Sequence, residues 1–430
     1  MDLVISGGED SLLQSLDFKL PPSSSYVQQR RLVSYYPSGA STFSPNGVRV
    51  CRFNIVGDGW LDPASLRVYF KLADTHATDR LQLAGGPHVL FSRLRLFIGG
   101  TLVEDLDYYG RSHELLRRIL MPPEWVKNDA IESLQVYQEG APGAAQPEIG
   151  QEEVTAGNYA MLNFAPLLGV MACGKYLPLR LSGGMQLELT LADGADAVAV
   201  GSTNTSYELQ QMSLRCAVAK LDSALESSFS SLMMQNKALT LKINTFHTQS
   251  QALPQNSAEV NVSMVRAFSR LNALFVSFTA HNGQAAALTH QAVSFINPAV
   301  FVGDGAGAYH QESTLEWDAQ IGSLKYPESP ATSIPETFSL LRQAVAIHDE
   351  SIRTLNITPQ SYLGTNFVIG VPLQTVPGGA FTGLNTRSGD LLTFRAKNVA
   401  QNAYNPGRIF VSMISEQLIE IREGSVAVLD

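Results

Sequence analysis

From residue 48 onward the chain is written in short runs that alternate apolar with polar positions. "VRVCRFNIV", "SLRVYFKLA", "VLFSRLRLFIGG" and "TLVEDLDYY" come first, followed by "PLRLSGG", "MQLELTLADG" and "YELQQMSLRCAVAKL". Successive side chains on a strand point to opposite faces. Phe91, Arg93, Arg95 and Phe97 therefore share one face and Leu94, Leu96 and Ile98 the other, as in a half-buried antiparallel sheet. Turn residues separate the runs at Gly57-Asp58-Gly59, Gly85-Gly86-Pro87, Gly99-Gly100, Gly183-Gly184 and Asp193-Gly194. This rhythm predicts an all-β half with the spacing of a sandwich. One helix interrupts it, with Ser112 as cap, Glu114 in the first turn, and Leu115, Leu116, Ile119 and Leu120 as the apolar stripe before Pro122-Pro123.

The second half repeats the plan in the same order. "LTLKINTF" (239–246) answers "VRVCRFNI" (48–55), "FSRLNALFV" (268–276) answers "FSRLRLFI" (91–98), and "SLLRQAV" (339–345) answers "ELLRRIL" (114–120). "DLLTFRAKN" (390–398) then answers "MQLELTLAD" (185–193), and "RIFVSMISEQLIEI" (408–421) answers "YELQQMSLRCAVAKL" (207–221). The pattern predicts an internal duplication. The second helix carries a capping box, Ser333-Ile334-Pro335-Glu336, followed by Phe338, Leu341 and Val345. Residues 1–45 are rich in Ser, Gln, Pro and Tyr without a sustained period and read as an extended arm. Three divisions follow: an arm at 1–45, a first β domain at 46–222 and a second at 223–430. "SALESSFSSLMMQN" between the domains is compatible with either linker or short helix. Residues 122–160 form an acidic excursion too long for a hairpin turn.

Candidate chemistry thins out under inspection. Gly99-Gly100 is followed by another strand and not by a helix, so it makes a hairpin turn and not a phosphate grip. Gly169 to Lys175 matches G-x-x-x-x-G-K, but Tyr176 stands where a magnesium-binding hydroxyl is needed and Pro178 follows in a strand-like run. "GDGAGAYH" (303–310) is a loop. Of the eight histidines only His281 and His290 lie within ten residues of each other, and neither has an acidic partner at ligand spacing. Glu104-Asp105 and Glu152-Glu153 are adjacent, so on a strand each pair points to opposite faces. Cys51, Cys173 and Cys216 are far apart and read as buried thiols. Arg30-Arg31 and Arg117-Arg118 read as solvated or ion-paired steps, and Tyr35-Tyr36 and Tyr108-Tyr109 as packing residues. No catalytic, cofactor-binding or metal residue is expected.

With 30 basic against 39 acidic residues the net charge is −9, which excludes a protein that coats nucleic acid and predicts no sequence-specific nucleic-acid binding. The start "MDLVISGGEDSLLQSL" has no basic n-region and reads as no secretory signal, and no apolar run is long enough to span a membrane.

"FNIVGDGWLDPASLRVYFKL" (53–72), "GGPHVLFSRLRLFIGGTLVEDLDYYGRSHELL" (85–116) and "KYLPLRLSGGMQLELTLAD" (175–193) resemble the double jelly-roll major capsid proteins of eukaryotic double-stranded DNA viruses. The nearest look is to the group of polintons and adintoviruses, polinton-like viruses and virophages. The resemblance implies two tandem eight-stranded antiparallel jelly rolls, each with a short corner helix and long loops. It also implies a non-enzymatic subunit that forms a homotrimer, a pseudo-hexagonal capsomer tiling an icosahedral shell in the virion. Neighbouring capsomers, minor capsid proteins and penton proteins are the implied partners, with contact to an internal membrane left open. Loops at 122–160, 280–314 and 349–365 would form outward towers. The rival reading is a β-sandwich carbohydrate-binding protein or glycoside-active enzyme, for which the three tryptophans Trp60, Trp125 and Trp317 are thin support.

Overall fold

The computed structural model describes residues 26–120, 131–138, 148–151, 153–198, 204–281, 289–298, 312–346, 355, 357–364, 366–376, 381–387, 391–399, 405–422 and 425–429. Residues 1–25 of the expected arm, the loop at 303–310 and most of the three expected towers lie outside them. Eight strands of six or more residues frame the first unit: β1 (Val27–Tyr35), β2 (Val50–Ile55), β3 (Trp60–Asp74), β4 (Phe91–Ile98), β5 (Thr101–Asp107), β6 (Tyr159–Phe164), β7 (Met185–Leu191) and β8 (Tyr207–Leu221). They pair in two antiparallel orders, β1-β8-β3-β6 and β2-β7-β4-β5. The chain thus crosses between two sheets at almost every step, which is the jelly-roll winding.

Eight more strands repeat it: β9 (Leu239–Ala252), β10 (Glu259–Ser263), β11 (Leu271–Ala280), β12 (Glu312–Ile321), β13 (Leu324–Ser333), β14 (Ile369–Pro372), β15 (Leu392–Lys397) and β16 (Pro406–Arg422). Their orders are β9-β16-β11-β14 and β10-β15-β12-β13, with β17 (Ser425–Leu429) added beside β16. Each of the eight framing strands of the first unit has its counterpart eight places later. The corner helices α1 (Tyr109–Leu120) and α3 (Ile334–Ala346) also correspond, and α2 (Ser223–Met234) joins the two units. The segment between the domains is therefore helical, capped by the Asp222 carboxylate accepting from the Ala224 N–H.

The topology corrects two of the five repeat correspondences. Residues 239–246 belong to β9, whose counterpart is β1 and not β2, and residues 268–276 lead into β11, whose counterpart is β3 and not β4. The error began in the arm. Residues 27–35 look unpatterned because they are exposed on both faces, yet they are the first strand of the jelly roll, with Arg30 opposite Ala219. A strand at a sheet edge with no covering layer loses the alternation by which strands are recognised.

Elsewhere alternation follows burial. In β2, Cys51, Phe53 and Ile55 face the core while Arg52 and Asn54 face out. Phe91 departs from its expected face: the register slips between Thr190 and Leu191 of β7, and the extra residue at Ser92 returns Phe91 to the core. Gly99 and Gly100 both take positive φ, +57° and +80°, in the β4–β5 hairpin, as a tight turn requires.

The first helix also differs from expectation. Tyr108, at φ +52°, ends β5, and α1 begins at Tyr109, so Ser112 lies inside the helix and donates to the Tyr108 carbonyl one turn back. Ser112 is not the cap, and Glu114 sits mid-helix, buried. The second helix follows its capping signal in part: the Glu336 N–H donates to Ser333 Oγ at 3.3 Å, while the Glu336 carboxylate reaches the Thr332 N–H.

Two apolar cores result, and each borrows from the other half. Leu115, Leu116 and Ile119 of α1 pack into the second core, whereas Leu241, Ile243, Ile419, Ile421 and Val426 pack into the first. Within the second core Phe394 lies stacked beside Trp317, with ring centroids 6.2 Å apart and both rings out of solvent. Phe394→Ala is expected to destabilise the second jelly roll by about 3–5 kcal/mol, read as a lowered midpoint in urea unfolding followed by tryptophan fluorescence.

Candidate functional site

The seam between the two jelly rolls concentrates the buried polar groups that the sequence left unassigned. On the first side stand β5, the turn at Gly169–Ala172 and α1. On the second stand β9, β11, β16 and β17. The approach is closest at Gly169, where an added Cβ would lie 2.1 Å from the Asn244 carbonyl oxygen of β9. Only glycine lets the two backbones meet there. This explains the glycine that imitates the start of a phosphate loop: residues 169–172 are a single 3₁₀ turn abutting a strand of the other domain.

Glu104, on the inward face of β5, holds that turn. Its carboxylate accepts from the Gly169 N–H at 2.8 Å and the Val170 N–H at 3.3 Å and is 1% exposed. Burial pushes its pKa up to about 7, with the two backbone donors acting against the rise. Its neighbour Asp105 points the opposite way, to Arg93, as their adjacency on a strand demands.

Arg111 of α1 enters the second jelly roll. Its Nη1 donates to the carbonyls of Gln291 (2.6 Å) and Ser294 (2.9 Å), and its Nη2 to Ser277 Oγ of β11 (2.8 Å). The guanidinium lies 4.3 Å from the Phe295 ring centre and 4.0 Å from that of Phe410. No carboxylate pairs with it among the described residues. Burial and the nearby Arg118 hold its pKa below the usual arginine range. The five donors of a guanidinium and the faces of two rings are the means by which a cation is kept without a counter-ion.

A chain of hydroxyls runs beside it. Ser112 Oγ meets Thr248 Oγ1 at 2.7 Å, and Thr248 meets Ser412 Oγ at 2.9 Å. Tyr108 accepts from Ser250 Oγ at 2.7 Å and packs edge-on to Phe410, and Thr101 Oγ1 donates to the Val426 carbonyl at 3.1 Å. On the next turn of α1, Glu114 accepts from Arg118 Nε (2.6 Å) and His88 Nε2 (2.9 Å), with Arg117 at 3.5 Å. Burial opposes its charge, but Arg118, His88 and Arg117 outweigh it and keep the carboxyl well below its usual range. His113 stacks on His88 at 4.3 Å, and burial first, then the positive groups around it, drives it neutral. Arg118 also donates to Asn366 of the second domain.

Of the residues singled out in the sequence, Arg117 and Arg118 are thus ion-paired. Tyr109 is buried with its hydroxyl oxygen accepting from the Leu167 N–H. Cys51 and Cys216 are buried free thiols, Cys173 a partly exposed one, and burial pushes Cys216 up to about 12. Glu104, Arg111 and Gly169 were legible only as ordinary members of a strand, a helix and a loop. Among the described residues no group of three or more His, Cys, Asp or Glu is placed to hold a metal ion.

The same arrangement of tandem domains occurs in solved structures. The Faustovirus major capsid protein superposes with a TM-score of 0.62 at 10% identity, covering 96% of this chain and 93% of its own. The PBCV-1 virus capsid gives 0.61 at 14% identity over 96% and 98%, and the Sputnik virophage structure 0.58 at 12% over 97% and 91%. The chain has the double jelly-roll fold of viral major capsid proteins. No family model matches the sequence, and no curated protein matches it. The double jelly roll is thus shared almost end to end while very few residues are.

The seam gives the double jelly roll a pH dependence. Because the folded pKa of Glu104 lies above its ordinary 4.5, ionising it destabilises the folded state. This contribution to stability is intact below about pH 4.5, falls as pH rises towards 7 and stays lost above, a difference of about 3 kcal/mol. Glu104→Gln is expected to flatten that slope and raise stability at pH 8, as measured by denaturant unfolding at pH 5 and pH 8.

Proposed function

We propose that this chain is a viral major capsid protein, a structural subunit without enzymatic activity that forms a homotrimer and tiles an icosahedral shell. The observation that carries the reading is the polarity of the seam. The second jelly roll presents its β9 side to the β5 side of the first, so the contact is head-to-tail. Within one chain two surfaces equivalent to the seam are left open: β1, counterpart of β9, and β13, counterpart of β5.

Their exposure supports this. β9 buries Leu241, Ile243, Thr245 and Thr248, whereas β1 has no buried residue and leaves Leu32 65% exposed. β5 buries Val103, Glu104 and Leu106, whereas β13 buries Ala331 alone and leaves Leu324 60% exposed. A head-to-tail contact closes into a ring when its rotation permits. In the trimer β1 of each chain meets β13 of the next, and six similar jelly rolls form a pseudo-hexagonal capsomer.

Capsomers then meet one another, and minor capsid and penton proteins, through their remaining faces. The functional units are the jelly rolls at 27–221 and 239–429. The acidic chain leaves neutralisation of packaged DNA to other, basic proteins. The subunit ends in the virion. A sugar-binding role has less support: Trp317 is 1% and Trp60 8% exposed, so neither offers a stacking platform, and Trp125 lies outside the described residues.

Light scattering of the purified chain is expected to give about 140 kDa, three times the 46.6 kDa chain. A monomer at micromolar concentration would sink the proposal. Leu32→Asp and Leu324→Asp, each on one of the two open surfaces, are expected to yield folded monomers with unchanged far-UV circular dichroism.

A further inference from the structure

The outward faces of the two equivalent sheets differ in one respect. On the β2-β7-β4-β5 face of the first jelly roll the charges satisfy one another. Glu188 accepts from Arg52 Nε at 2.8 Å and pairs with Arg95, while Arg93 grips Asp105 at 2.8 and 2.6 Å with Asp107 at 3.1 Å. On the β10-β15-β12-β13 face of the second, Lys397 stands in register between Glu259 and Glu316, and Arg395 between Asn261 and Asp318. Arg395 and Asp318 close a two-pronged ion pair at 2.9 and 3.1 Å. Glu259, Glu316, Lys325 and Lys397 make no ion pair among the described residues, although cross-strand neighbours of opposite charge are in reach of one another. They rim an open cleft of about 360 Å³.

The charge of this face selects its partner. Two lysines repel a basic surface and two glutamates repel a phosphate backbone, so neither a strongly basic protein nor nucleic acid fits it. These four groups comprise two of each sign, so a second copy of the face can offer each of them the opposite charge. The first jelly roll, whose charges are mutually paired, lacks this property.

We propose that the β10-β15-β12-β13 face is a contact between capsomers, made with a second copy of itself, in which Lys325 and Lys397 of each copy meet Glu259 and Glu316 of the other. The proposal rests on the subunit reading above; it shares β13 with the trimer seam but uses the outward face of the sheet and not the free edge of that strand. Contacts of this kind are screened by salt.

The test is sedimentation velocity of the full-length chain at low and high sodium chloride, with two charge-reversed variants. Lys325→Glu with Lys397→Glu is one variant, and Glu259→Lys with Glu316→Lys is the other. Parent trimers are expected to associate at low salt and to lose at least roughly tenfold in association constant at high salt. Each variant alone is expected to stay a trimer, and an equimolar mixture of the two to regain the parent's association. Self-association of either variant at parental strength, failure of the mixture to associate, or parent trimers that ignore one another at low salt would each overturn the proposal. So would a variant that loses the trimer, since this would place the face inside the capsomer. A parent chain with no trimer peak at all would instead refute the subunit reading, which separates the two failures.

Discussion

The two halves of this molecule are held in one geometry by a buried cation that has no counter-ion among the described residues. Arg111 leaves the first jelly roll on α1 and finds all its partners in the second: two carbonyl oxygens, a serine hydroxyl and the faces of Phe295 and Phe410. Three hydrogen bonds from Nη1 and Nη2 and the faces of two rings offset much of its lost hydration, while Nε has no partner among the described residues. Its acceptors are set by β11 and by the chain at 289–295, so the arrangement is complete only when both domains are folded and docked. The hydroxyl chain from Ser112 to Ser412 and the Gly169–Asn244 approach then fit around that anchor.

Duplication explains the rest of the architecture, and divergence explains its use. Both jelly rolls have the same strand orders, yet α1 is inserted into the seam while α3 stays with its own domain. The seam also converts a symmetric repeat into a polar unit. One copy of each seam-forming side is buried within the chain, and the other copy of each is left at the surface, on β1 and β13. A protein with two unlike, complementary open sides is suited to closing a ring.

The sequence disclosed the fold better than the site. Alternation in β2, β4 and β7, glycine turns with positive φ and two helices ended by proline or begun by a capping box were all readable, because each depends on one face meeting a core and the other meeting water. The reading failed at β1, which touches the core only through the partly buried Val33 and Tyr35 at its end, and at Ser112, where a hydroxyl suited to capping is instead used across the seam. The first of these lapses shifted part of the repeat alignment. Glu104 and Gly169 carried no local signal, since a glutamate next to an aspartate on a strand and a glycine in a loop have many ordinary uses.

The sequence by itself determined the all-β class and the repeated plan of the two halves, because these follow from periodicities of a few residues. The tertiary structure alone decided which glutamate is buried, which arginine crosses between domains and which edges stay open. Those facts depend on residues more than a hundred positions apart being brought within hydrogen-bonding distance, and no short-range pattern encodes such a meeting.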